Sequence, residues 1–154
     1  MLGLDYGDKT IGVALSDPGG RLATGLTVLR REREEGLRRN VRELRRIIRE
    51  QGVGLVVLGY PLHLDGAEGG RCERTKSFQE KLRRNFKSLP VALWDERFTT
   101  REAEAALREA GVRPEDRKRH VDMVAAVLIL QNYLDCSHTN NTNHLSQRQR
   151  CEDE

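Results

Sequence analysis

At 154 residues the chain has the size of one domain with a full hydrophobic core. A third of the residues are charged, but the net charge is only +3, so the balance is compatible with a nucleic-acid partner without requiring one. The apolar runs fall short of the roughly 18 residues needed to cross a bilayer, and the N-terminus lacks the basic-then-apolar plan of a signal peptide, which argues against a membrane or secreted protein.

The opening stretch reads as β-rich. "LGLDYG" and "IGVALSD" are parted only by Gly7-Asp8-Lys9, and "LATGLTVL" follows the turn Asp17-Pro18-Gly19-Gly20. Connections this short predict a three-stranded antiparallel meander. From about Glu34 to Gln51, Leu37, Val41, Leu44, Ile47 and Ile48 recur at helical spacing with arginines on the other face, and Gly52 supplies a stop. "VGLVVLGYP" is a continuous apolar run, as in a strand buried on both faces. A polar, glycine-rich loop follows, then a helix from about Arg74 to Phe86 and the strand "PVALWDE". Helices near Arg101–Ala110 and Val121–Leu134 complete a domain over residues 1–135. Residues 136–154 are polar and aperiodic and are expected to form a disordered tail. The predicted order, βββ-α-β-α-β-α-α, is that of an α/β fold with a single five-stranded mixed sheet flanked by helices. Its strand–helix–strand units bring strand ends to one edge, where sites form in such sheets.

Three acids stand among core-forming residues: Asp5 within the first strand, Glu96 after "LPVALW", and Asp122 at the start of "VDMVAAVLILQNYL". A buried carboxylate is costly unless something pairs with it. Three of them, on three core elements, point to a shared cation. Asp122 shares a helical face with Ala125, Ala126 and Ile129, which predicts an inward-pointing acid in a first turn, where the helix dipole favours negative charge. Glu96 and Asp95 must point to opposite faces of an extended chain, so only one can join Asp5; Glu96 is preferred and Asp95 is the alternative. Asp5 could instead receive turn amides from its neighbours. Gly3, Gly7 and Gly12 are expected to leave room beside Asp5 for a metal or a phosphate backbone. Three carboxylates suit Mg²⁺ or Mn²⁺, which prefer hard oxygen ligands. Lys9, Arg97, Lys118 and the loop around His63 are candidates for positioning substrate phosphates, with a solvated surface role as the alternative for each. Thr99 and Glu102 form a T-x-x-E capping box, a structural reading for the threonines beside Glu96. Cys72, Cys136 and Cys151 are odd in number and widely spaced, which fits neither a disulfide framework nor a zinc site and suggests a reducing, cytoplasmic compartment.

"GLDYGDKTIGVALSD", "VVLGYPLHLDG", "DERFTT" and "HVDMVAAVLILQNYL", in that order, make the chain resemble the YqgF (RuvX) family of the RNase H-like superfamily from Gly3 to about Leu134. Thr10 stands where that family usually carries arginine. The resemblance implies an RNase H-like fold and a nuclease with Asp5, Glu96 and Asp122 as its metal-binding acids. It also implies a role in pre-16S rRNA 5′-end processing, with Holliday-junction resolution as the alternative. Two further readings come from other classes. One is a nucleic-acid-binding transcription or ribosome-assembly factor without catalysis. The other is a phosphotransferase of the sugar-kinase or actin type, whose phosphate loop "GLDYGDKTIGVAL" resembles, although such proteins use two domains of this kind.

Overall fold

The computed structural model describes the backbone of residues 1–31, 33–61, 68–96, 105 and 107–152, and their side chains except those of 33–36, 118–119 and 139–152. The meander forms as expected. β1 (Leu2–Tyr6), β2 (Thr10–Ser16) and β3 (Ala23–Arg30) pair antiparallel, with Asp5 opposite Gly12. β4 (Val56–Tyr60) lies parallel to β1 on its other side, and β5 (Val91–Asp95) lies parallel to β4. The sheet order is β3-β2-β1-β4-β5, with the parallel strands reached through helical crossovers.

Helices cover both faces. α1 (Arg33–Gln51) and α2 (Gly70–Asn85) pack on one, and α3 (Pro114–Glu152) on the other. Strand pleating sorts the side chains. Leu2, Leu4, Ile11, Val13, Val56, Leu58 and Val91 meet Val41, Leu44, Phe78 and Leu82 from α1 and α2. Ala14, Ala23 and Val57 meet Ala126, Ile129, Leu130 and Leu134 from α3. The odd positions of β1 therefore face α3, and Asp5 is one of them. α1 stops where predicted, with Gly52 at φ 61° taking the left-handed conformation that ends a helix.

Three boundaries differ from those predicted. α2 begins at Gly70 rather than Arg74, because two glycines conceal a helical start. α3 begins at Pro114 rather than Val121; its opening "PEDRKRH" carries no apolar residue for periodicity to detect, although proline followed by acids is a helix-start signal. At its other end the helical backbone continues to Glu152 through the stretch expected to be disordered. Ser137 there donates to the Tyr133 carbonyl at 2.9 Å, and the His138 ring meets the Gly20 carbonyl at 2.8 Å. Extending a formed helix costs far less than starting one, and composition alone does not register that. The helix predicted over 101–110 and its capping box lie largely outside the described residues; 107–109 are helical.

Candidate active site

Asp5, Glu96 and Asp122 come to one place by three separate devices. Asp5 sits on the α3 face of the central strand, 8% exposed. Glu96 follows β5, and its amide donates to the Tyr60 carbonyl at 3.2 Å, which carries the β4–β5 pairing one residue further. That extra step keeps the alternation and turns Glu96 toward α3, while Asp95 ends β5 exposed. The Glu96 carboxylate then passes over Gly59 of β4, where a Cβ would lie 2.4 Å from its Oε2. Asp122 is brought in by its backbone: a Cβ on Gly12 would lie 1.9 Å from the Asp122 carbonyl oxygen. Since Gly12 is the register partner of Asp5, the first part of α3 is set against the strand pair that carries Asp5.

The expected use of Gly3 and Gly12 is thus corrected. The space beside Gly12 holds the backbone of α3, and that beside Gly3 holds Leu130, whose Cβ would be 2.7 Å from an added methyl. Glycine here serves helix–sheet approach, not the approach of a metal or phosphate.

Asp5 feels both of the other carboxylates. Asp5 titrates well above the ordinary carboxylate range. Burial is the main cause, followed by the charges of Glu96 and Asp122 and a side-chain hydrogen bond with Glu96. Burial also raises Glu96, against the opposing effects of the Asp5 hydrogen bond and Arg71. The side-chain hydrogen bond between the two acids raises Asp5 and lowers Glu96. Asp122 is oriented separately, its Oδ2 accepting from the Thr10 hydroxyl.

The chain matches the RuvX family, described as Holliday junction resolvase, over residues 1–136. It belongs to that family. A "Putative pre-16S rRNA nuclease" of Agathobacter rectalis is 46% identical over 135 residues, covering 88% of this chain and 94% of the relative. One of the same name from Geobacillus kaustophilus is 46% identical over 134 residues, covering 87% and 96%. Among solved structures, Thermus thermophilus RuvC in complex with a Holliday junction substrate superimposes with a TM-score of 0.55 at 14% identity, covering 89% of this chain and 94% of that one. RuvC without the substrate gives 0.53 at 14% identity, covering 90% and 95%. These likenesses establish the RNase H-like fold.

Within this RuvX chain the other predicted contacts fare differently. Lys9 is exposed in the β1–β2 turn. Lys118 lies on α3 with its side chain outside the described residues, and His63 and Arg97 lie outside them altogether. Two residues of the site were missed. Thr10, read only as a departure from the family pattern, holds Asp122. Arg71, placed by the sequence in a loop, stands on the first turn of α2, exposed, with its charge acting on both Asp5 and Glu96. Gly59, an isolated glycine in an apolar strand, was the available signal for close approach at this edge.

The donor set is three carboxylates, matched in kind to Mg²⁺ or Mn²⁺. Among the described residues, no three His, Cys, Asp or Glu side chains are gathered closely enough to chelate an ion as they stand. The close approach of the Asp5 and Glu96 carboxyls marks where a cation would relieve their repulsion.

Proposed function

We propose that this RuvX chain is a cytoplasmic, metal-dependent endonuclease that hydrolyses phosphodiester bonds of structured nucleic acid, namely the 5′ region of pre-16S rRNA during ribosome biogenesis. The observation that carries this reading is the meeting of Asp5, Glu96 and Asp122 at the carboxyl edge of the parallel strands, with the Asp5 and Glu96 carboxyls in hydrogen-bond contact. Structural acids would be placed apart or paired with bases; here a buried Asp5 has two further carboxylates, Glu96 and Asp122, close enough to act on it. A Mg²⁺ or Mn²⁺ ion bound by them would activate water and stabilise charge developing on the phosphorus oxygens. The protein's own part is orientation and charge. Thr10 fixes the rotamer of Asp122, Gly59 admits Glu96, and Arg71 offers a cation at the mouth of the cluster for a substrate phosphate. Lys9, Arg97, His63 and Lys118 remain proposed backbone contacts. That no described helix is long and apolar enough to cross a membrane fits a chain that meets nucleic acid in solution.

The relatives' name favours pre-16S rRNA, and the family description favours a four-way DNA junction. The deciding experiment offers wild type and Asp5→Asn both substrates in Mg²⁺ and in Mn²⁺. Precursor cleavage that is lost in the variant supports the rRNA role. Cutting of the junction alone transfers the activity to recombination. Binding of both without cleavage of either replaces the enzyme with a binding module.

A further inference from the structure

The face opposite the acid cluster carries a second concentration of charge. Between α1 and α2 lies a groove of about 640 Å³ with Leu37 and Val41 at its floor and Arg38, Arg42, Arg45, Lys81 and Asn85 around it. On α1 the cations at 38, 42, 45 and 49 follow helical spacing on one face, with no acid among them. An ordinary solvated face alternates sign, since like charges at this spacing destabilise a helix. Three acids of these helices with described side chains are engaged elsewhere: Glu43 and Glu50 both bind Arg46, at 2.9 and 3.1 Å, and Glu80 meets Arg83 at 3.7 Å. Among the described residues no carboxylate lies within ion-pair distance of Arg38, Arg42, Arg45 or Lys81. Arg45 is held over the Phe86 ring at 5.6 Å, which fixes its guanidinium at the groove wall.

α2 runs from the acid cluster to the groove, with exposed cations at Arg71, Arg74 and Lys81 and the buried Phe78 between the last two. Residues 71, 74, 78, 81 and 85 form one stripe of that helix. Arg71 stands at the acids, and Arg74 reaches Asp8 in the β1–β2 turn at 3.0 Å. Phe78 stacks on Tyr6 with ring centroids 4.1 Å apart, and Arg31 covers the Tyr6 ring at 4.0 Å. Lys81 and Asn85 then enter the groove. At 1.5 Å per residue, Arg71 and Lys81 are about 15 Å apart along the axis, roughly four or five phosphates of a stacked strand.

We infer that the α1–α2 groove binds the phosphodiester backbone of the RNA strand that leaves the acid cluster, so that substrate is held by its flank at a site remote from cleavage. This rests on the nuclease reading for its geometry but is read out by binding alone. The test uses the full chain in EDTA, with labelled RNA of two lengths checked for integrity. One probe covers only the acid cluster; the other is longer by about ten nucleotides, ample for the ~15 Å track.

Replacing Arg38, Arg42 and Lys81 together by Gln removes three exposed charges. It is expected to weaken the longer probe about tenfold or more and to reduce its log–log salt slope by about 2, at ~0.7 per single-strand contact. The short probe should bind as before, and cleavage should lose KM rather than kcat. Arg46→Gln with Arg83→Gln, two cations already paired to acids, is the matched control and should change neither probe. An unchanged slope for the longer probe, an equal loss on the short probe, or an equal loss in the control overturns the inference. Should wild type cut neither substrate while the length-dependent loss persists, the nuclease reading fails and the groove stands.

Discussion

Asp5 is held against its own chemistry. Its carboxyl is buried, and Glu96 and Asp122 add like charge, so the folded state is penalised when Asp5 ionises. Asp5→Asn removes the charge and leaves an amide that can donate to Glu96. The variant should therefore be more stable than wild type in EDTA by about 1–2 kcal/mol, the scale on which functional sites trade stability. For a chain of this size that is a rise of several degrees in Tm. Mg²⁺ should raise the Tm of wild type and leave that of Asp5→Asn almost unmoved, as a thermal melt would show. A less stable variant would mean that Asp5 serves the fold. The three acids were legible in the sequence because charged residues in apolar runs are conspicuous. Thr10 and Arg71 were not, because a hydroxyl in a strand and an arginine among many carry no signal until their neighbours are known.

Between elements, the deciding contacts are made by backbone. The strand meander, the end of α1 and the pleat that separates Asp95 from Glu96 could all be read from period and turn chemistry. The approach of α3 to β2 could not, because it depends on a carbonyl lying where Gly12 has no side chain. Gly12→Ala would put a methyl 1.9 Å from that oxygen, so α3 must move at Asp122. We expect a loss of about 1–3 kcal/mol, typical of overpacking, together with most of the cleavage activity. Gly19→Ala is the control: its nearest neighbour would be Asp17 Oδ2 at 3.4 Å, an ordinary contact, so chemical denaturation and activity should scarcely change. Equal behaviour of the two variants would show that α3 is not placed by this contact.

For the molecule as a whole, the question is how much of the chain the fold needs. α3 makes its last buried contact at Leu134 and its last described side-chain contact at His138. A chain ending after His138 should keep its denaturation midpoint to within about 0.5 kcal/mol and cleave as before, which would leave residues 139–154 free for another purpose. Loss of either property would assign that stretch to the domain.

The acids come from the first strand, from the end of the fifth and from the last helix, so their meeting requires nearly the entire polypeptide. During synthesis, β1 to β3 leave the ribosome long before α3 does. A nascent chain therefore emerges beside ribosomal RNA with Asp5 made but Asp122 not yet. On the proposed function, the order of translation alone keeps the half-made enzyme from cutting the particle that is making it, with no inhibitor required.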